Sequence, residues 1–120
     1  MAGRLTTHVL DTAQGGPAAG LAIELWALGP DGATRRLLKT VRTNADGRPD
    51  APLLTADALA VGVYELVFAV GAYFRAQGLA GPTPAFLDQV PVRFGIADPA
   101  AHYHVPLLTS PWAYSTYRGS

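Results

Sequence analysis

The sequence predicts an all-β fold: a two-sheet antiparallel sandwich of seven to eight strands with one short helix. Three observations carry this. Short runs of alternating apolar and polar residues recur along the 120 residues, and period-two alternation marks a strand with one buried face. Clusters of Gly, Pro, Asn and Asp separate the runs at close intervals, as turns between strands do. A single segment has helix composition and a suitable end. Many short strands with frequent turns suit two packed sheets better than alternating β and α units.

Leu5-Thr6-Thr7-His8-Val9-Leu10 reads as the first strand, bounded by the polar, glycine-rich stretch Asp11 to Gly16. Leu21 to Leu28 is the second, with Leu21, Ile23 and Leu25 on one face and Glu24 and Trp26 on the other. Gly29-Pro30-Asp31-Gly32 turns the chain into a third strand, Arg35 to Thr43, whose alternation is weaker. Asn44-Ala45-Asp46-Gly47-Arg48-Pro49 is a loop of strong turn formers. Val63 to Val70 is a strand because Tyr64, Leu66, Phe68 and Val70 share a face. Gly71 to Gly78 suits one or two helical turns, with Gly78 at the C′ position. After the Gly81-Pro82-Thr83-Pro84 loop, Val90, Val92, Phe94 and Ile96 alternate against Pro91 and Arg93. Proline cannot donate to a ladder, so these prolines belong at sheet edges or strand starts. His102 to Leu108 and Trp112 to Tyr117 are the last two strands, joined by Thr109-Ser110-Pro111.

Residues 1–120 read as one domain, with no internal repeat and no low-complexity segment. Hydrophobic residues make up 49% and charged residues 15%, which suits a packed core and argues against disorder. Nine basic residues balance nine acidic ones with no block of like charge, so neither nucleic acid nor an anionic membrane is an expected partner. The absence of cysteine removes disulfides, thiolate nucleophiles and Cys-based zinc sites. The N-terminal residues have no apolar run of the secretory kind. Ala58 to Val70 is interrupted by Glu65 and falls short of the roughly 20 residues a bilayer span needs. A cytoplasmic protein is the expectation.

Few residues remain that can carry chemistry. If Leu5, Thr7 and Val9 face the core, then Thr6, His8 and Leu10 face outward. If Tyr103, Val105 and Leu107 face the core, His102 and His104 face outward as well. Each histidine alone reads as an ordinary surface residue. His102 and His104 form a pair able to bind metal on one strand face; carboxylates could complete such a site, but no metal is expected. Arg48 sits in a turn before a proline, which constrains its direction. By itself it reads as a solvated charge, and Tyr117-Arg118-Gly119-Ser120 as an exposed terminus.

Taken together, three segments resemble the transthyretin-related family, specifically its 5-hydroxyisourate hydrolase branch. They are Leu5 to Thr12 followed by Gly16-Pro17-Ala18; Thr43 to Arg48; and His102 to Leu108 through Ser110-Pro111 to Tyr114-Ser115-Thr116-Tyr117-Arg118-Gly119-Ser120. The likeness covers essentially the whole chain, and the final Tyr-Arg-Gly-Ser marks the enzyme branch. The hormone-carrier branch has the same fold but lacks the histidines and that ending.

The resemblance implies a transthyretin-like sandwich that hydrolyses 5-hydroxyisourate to 2-oxo-4-hydroxy-4-carboxy-5-ureidoimidazoline in urate breakdown, without a cofactor. It implies a homotetramer, a dimer of dimers, with sites in the cleft between dimers. It assigns catalysis to His8, Arg48, His104 and Ser120, and substrate binding to His8, Arg48, Tyr117, Arg118, Gly119 and Ser120. The chemistry suits these types. Histidine titrates near neutral pH and can activate water. Arginine presents a permanent charge and a planar fork to a flat, oxygen-rich, anionic substrate. Either His8 or His104 fits the role of base, and His102 reads as a structural neighbour. The alternative function is a non-catalytic small-ligand carrier built on the same fold.

Overall fold

In the computed structural model, which describes residues 2–79 and 81–120, alternation along the chain becomes two facing layers. The strands are β1 (Arg4–Thr6), β2 (Val9–Asp11), β3 (Gly16–Pro17), β4 (Ala22–Leu28), β5 (Arg35–Arg42), β6 (Leu54–Thr55), β7 (Gly62–Phe68), β8 (Val90–Ile96), β9 (His102–His104), β10 (Leu107–Thr109) and β11 (Tyr114–Thr116). Among the described residues one α-helix, α1 (Val70–Ala76), lies between β7 and β8, and a 3-10 turn, Ala56–Ala58, follows β6. Among the described residues no helix is long and apolar enough to cross a membrane.

One layer is the antiparallel sheet β5-β4-β7-β8. Its inner face presents Ile23 and Leu25, Tyr64, Leu66 and Phe68, and Val90, Val92 and Ile96, all buried. Pro91 lies in β8, an edge strand, where its missing N–H costs no ladder bond. The weak alternation of β5 has a local cause. Leu25 pairs with Lys39 but Trp26 pairs with Leu37, so the register shifts there. Leu38 is the extra residue of a bulge, and the phase of the pattern resets at that point.

The other layer is built from two short sheets, β6-β1-β9 and β11-β10-β2-β3. The runs expected as single strands, Leu5 to Leu10 and His102 to Leu108, are each divided between them; with the two-residue strands β3 and β6, which the sequence did not announce, this makes eleven strands among the described residues. The division falls at Thr7-His8 and at Val105-Pro106, where Pro106 has no N–H to donate. Backbone bonds from Val105 N to the Thr6 carbonyl and from Leu107 N to the His8 carbonyl, each 2.9 Å, carry the pairing across the break. This central pairing is parallel, whereas an all-antiparallel sandwich was expected. Parallel partners need a long crossover connection, and nearly the whole chain separates these two segments.

Leu5, Val9, Tyr103, Val105 and Leu107 close the core from this layer. Val70, expected to end a strand, instead opens α1. Gly78 ends the helix as expected: its N–H bonds to the Arg75 carbonyl at 3.0 Å and that of Leu79 to Phe74 at 2.8 Å, a Schellman pattern. The helix is tied to the second layer by the Tyr73 hydroxyl, which donates to Asp11 Oδ2 at 2.8 Å. Asp11 is 1% exposed. Its carboxylate also accepts from the amides of Ala13 and Gln14 and from the Gln14 side chain, so the buried charge is fully bonded.

Candidate functional site

The site begins with the parallel register. Thr6 pairs with His104 and Arg4 with His102. Thr6, His8, His102 and His104 therefore share the outer face of one layer, as the alternation of Leu5, Thr7, Val9 and of Tyr103, Val105, Leu107 requires. Leu107 pairs with Val9, so the same register puts His8 opposite Pro106, one diagonal step from His104. Tyr103 anchors the strand from beneath. Its ring is buried, and its hydroxyl accepts from the amides of Ala97 and Asp98, each at 3.0 Å.

Each imidazole has a defined partner. The Thr6 hydroxyl lies 2.8 Å from Nδ1 of His104 and 3.1 Å from Nε2 of His102. Nε2 of His8 lies 2.8 Å from the Asp46 carbonyl, which can only accept. That nitrogen therefore carries a proton, and Nδ1 holds the lone pair of the neutral ring.

Asp46 and Arg48 reach this face through the Asn44–Pro49 loop. The loop is held by its own turn chemistry: Asn44 Oδ1 accepts from the amides of Asp46 (2.9 Å) and Arg48 (3.3 Å), and Gly47 N donates to the Asn44 carbonyl at 2.9 Å. Gly47 has φ +76°, and a Cβ there would run into the Val9 carbonyl. Val9 N in turn donates to the Gly47 carbonyl at 2.8 Å, which docks the loop on β2. Arg48 is exposed, and among the described residues its guanidinium makes no hydrogen bond, leaving its fork open to a ligand. Beside it lies a shallow pocket of about 160 Å³ lined by Thr6, Arg48, Pro49 and Asp50.

The C-terminal residues add to the free edge of β9. Gly119 N donates to the His104 carbonyl at 2.8 Å, and the two residues form an antiparallel bridge. A Cβ on Gly119 would sit 2.6 Å from Cδ2 of His104, so only glycine lets the backbone lie against the ring. Arg118 stacks its guanidinium 4.2 Å over the Tyr103 ring and donates to the His102 carbonyl. Its side chain, with that of Tyr117, lines a different cavity of about 360 Å³ between β8 and the β9–β11 region, together with Val92, Phe94 and Val105. Within one chain, then, His8, Arg48, His104 and Gly119 converge, while the side chains of Tyr117 and Arg118 turn to the sandwich edge. Ser120 is exposed and follows Gly119 directly.

The electrostatics favour a neutral His104. Burial lowers its pKa below the usual 6.5, and the charges of Arg48, His102 and His8 push in the same direction. A neutral imidazole beside an uncommitted guanidinium can accept a proton from water while the cation meets developing negative charge. Thr6, Asn44 and the Asp46 carbonyl were not singled out in the sequence. Thr6 had one signal available: it shares the outward face with His8.

The sequence and the fold both match known proteins. Residues 5–119 match the sequence model of the HIUase/Transthyretin family. A 5-hydroxyisourate hydrolase of Ralstonia nicotianae is 64% identical over 118 residues, covering 98% of this chain and 99% of that protein. The crystal structure of an (S)-allantoin synthase superposes with a TM-score of 0.92 at 47% identity, covering 99% of this chain and 44% of that one. The 5-hydroxyisourate hydrolase of Klebsiella pneumoniae superposes with a TM-score of 0.79 at 34% identity over the full length of both. On sequence and fold together, this chain belongs to the HIUase/Transthyretin family.

Proposed function

We propose that this protein hydrolyses 5-hydroxyisourate to 2-oxo-4-hydroxy-4-carboxy-5-ureidoimidazoline, with His104 as general base. One observation carries the reading: His104, held toward its neutral form by burial and by Arg48, shares one outer face with His8 and the open Arg48 fork. Close relatives bearing the hydrolase name support the substrate.

His104 takes a proton from water, and the water oxygen attacks the carbonyl carbon of the six-membered ring. Arg48 holds the substrate and stabilises the oxyanion that forms. The ring C–N bond then breaks, and the proton returns from His104 to the leaving nitrogen. His8, whose Nε2 is committed to Asp46, orients water or substrate. Ser120 contacts one of them through its hydroxyl, and Gly119, packed against His104, shapes the pocket.

A homotetramer, a dimer of dimers, belongs to the same proposal. Leu10 and Leu108 pair in register and lie half-buried on the imidazole face, and Trp112 is exposed just before β11. A second copy would cover this surface and enclose the histidines in a cleft.

The test is the decay of freshly generated 5-hydroxyisourate, followed by ultraviolet absorbance, with light scattering of the same sample. Hydrolysis well above the spontaneous rate by a tetramer is expected, with His104→Ala and His8→Ala each losing about 10²- to 10⁴-fold in kcat. Decay at the spontaneous rate would favour a carrier that binds without chemistry. A stable, active monomer would overturn the cleft.

A further inference from the structure

One hydroxyl joins two imidazoles on this face, and its single proton makes them unequal. Thr6 Oγ1 lies between His104 Nδ1 at 2.8 Å and His102 Nε2 at 3.1 Å. A hydroxyl has one proton to give and lone pairs to receive with. When both rings are neutral, the arrangements that use its proton between them have it donate to one and accept from the other. In the first arrangement His104 Nδ1–H donates to Thr6, Thr6 donates to His102 Nε2, and Nε2 of His104 is an open lone pair. In the second, His102 Nε2–H donates to Thr6 and Thr6 donates to His104 Nδ1. The proton of His104 then sits on Nε2, which can only donate. The two differ in proton positions alone, and only the first leaves Nε2 of His104 able to act as a base.

We propose that Thr6 is a positioning residue that sets the tautomer of His104, and that His102, acting through Thr6, governs whether His104 can accept a proton. The proposal rests on His104 being the base. A protonated His102 has hydrogens on both nitrogens, so it must donate to Thr6. The Thr6 proton, no longer taken up by His102, is then free to turn to His104 Nδ1, and where it donates there the lone pair at Nε2 is withdrawn without moving a heavy atom. The charged and titratable groups facing His104 are Arg48 from the loop, His8 from the β1–β2 junction and His102 from its own strand. Arg118 bonds to the His102 carbonyl, and Ser120 follows Gly119. None of these offers His104 Nδ1 the hydrogen bond that Thr6 does. His102, a bystander by strand geometry alone, thereby acquires a role.

The experiment compares Thr6→Ser, Thr6→Val and His102→Ala with the unaltered protein, by kinetics across pH and by nitrogen NMR of ¹⁵N-labelled histidine. Thr6→Ser keeps the hydroxyl and should stay within about threefold of the parent, whereas Thr6→Val should lower kcat by about tenfold or more with little change in KM. Thr6→Val and His102→Ala should each make the acidic limb of kcat/KM shallower by about one proton, because His102 no longer acts on His104. Ring-nitrogen shifts should place the His104 proton on Nδ1 above its pKa, and Thr6→Val should mix the tautomers. The proposal is overturned if Thr6→Val matches Thr6→Ser in rate, pH profile and shifts, or if the proton resides on Nε2 of His104 in the unaltered protein. His104→Ala separates the two levels. Full activity in that variant would remove His104 as base, and the catalytic role of Thr6 with it, whereas an inactive His104→Ala beside an unaffected Thr6→Val would overturn this proposal alone.

Discussion

Gly119 lies flat against His104: its amide donates to the His104 carbonyl at 2.8 Å, and the space a Cβ would need is filled by the imidazole. Gly119 thus sets one wall of the ring's position. Gly119→Ala should push the ring or the tail aside and lower kcat/KM by tenfold or more, about 1.4 kcal/mol of transition-state stabilisation. Thermal unfolding should barely move, since the tail contributes little to the core. Steady-state kinetics beside a melting curve checks this. Unchanged kinetics would mean that the tail does not position His104.

The lowered pKa of His104 has a consequence of definite sign. The base is the neutral form, and lowering the pKa keeps it neutral further into acid. The acidic limb of kcat/KM should therefore break below 6.5. Burial is the largest cause and the Arg48 charge the next. Arg48→Met should move the break upward, toward 6.5, while Arg48→Lys should leave it in place and lower the rate, because a point charge does not replace the bidentate fork. A pH–rate series on the three proteins decides it. A break above 6.5 in the parent would contradict the assignment.

Gly47 couples loop geometry to both His8 and Arg48. With φ at +76° and the Val9 carbonyl where a Cβ would go, Gly47→Ala is strained in conformation and in space. A loss of about 1–3 kcal/mol in stability is expected. Activity should fall further than stability explains, since the Asp46 carbonyl and Arg48 both move with the loop. Denaturant unfolding and kinetics on the same variant separate the two effects, and an active, fully stable Gly47→Ala would refute both.

The buried Asp11–Tyr73 pair should matter to stability rather than to chemistry. Burial opposes the charge on Asp11, but hydrogen bonds from Gln14, Tyr73 and Ala13 outweigh it and hold its pKa below 3.8. Burial, the bond to Asp11 and the charge of Asp11 push the Tyr73 hydroxyl up to about 12. A depressed carboxylate contributes stability above its unfolded pKa and loses it as pH falls through the folded value. Tyr73→Phe should cost about 1–3 kcal/mol near neutral pH, and the difference from the parent should shrink in strong acid. Urea unfolding at several pH values measures this; equal stability at neutral pH would show the bond to be inconsequential.

The alternation of Leu5, Thr7, Val9 and of Tyr103, Val105, Leu107 was enough to place the histidines on the outer face, because side chains of a strand alternate whatever its neighbours are. Turn residues such as Asn44 and Gly47 announced the loop, since their preferences act over a few residues. The helix end at Gly78 was legible for the same local reason. The division of two strands into four, the parallel pairing of β1 with β9 and β2 with β10, and the helical start at Val70 were not. They depend on which segments meet across nearly the length of the chain, and single-chain patterning contains no term for that. The meeting of Thr6 with His102 and His104 follows from the same register. A threonine beside a histidine is unremarkable in sequence; only when a parallel ladder lays Thr6 against His104 does its one hydroxyl proton join two rings. Local physics thus determined which residues face outward, and long-range pairing decided which of them touch.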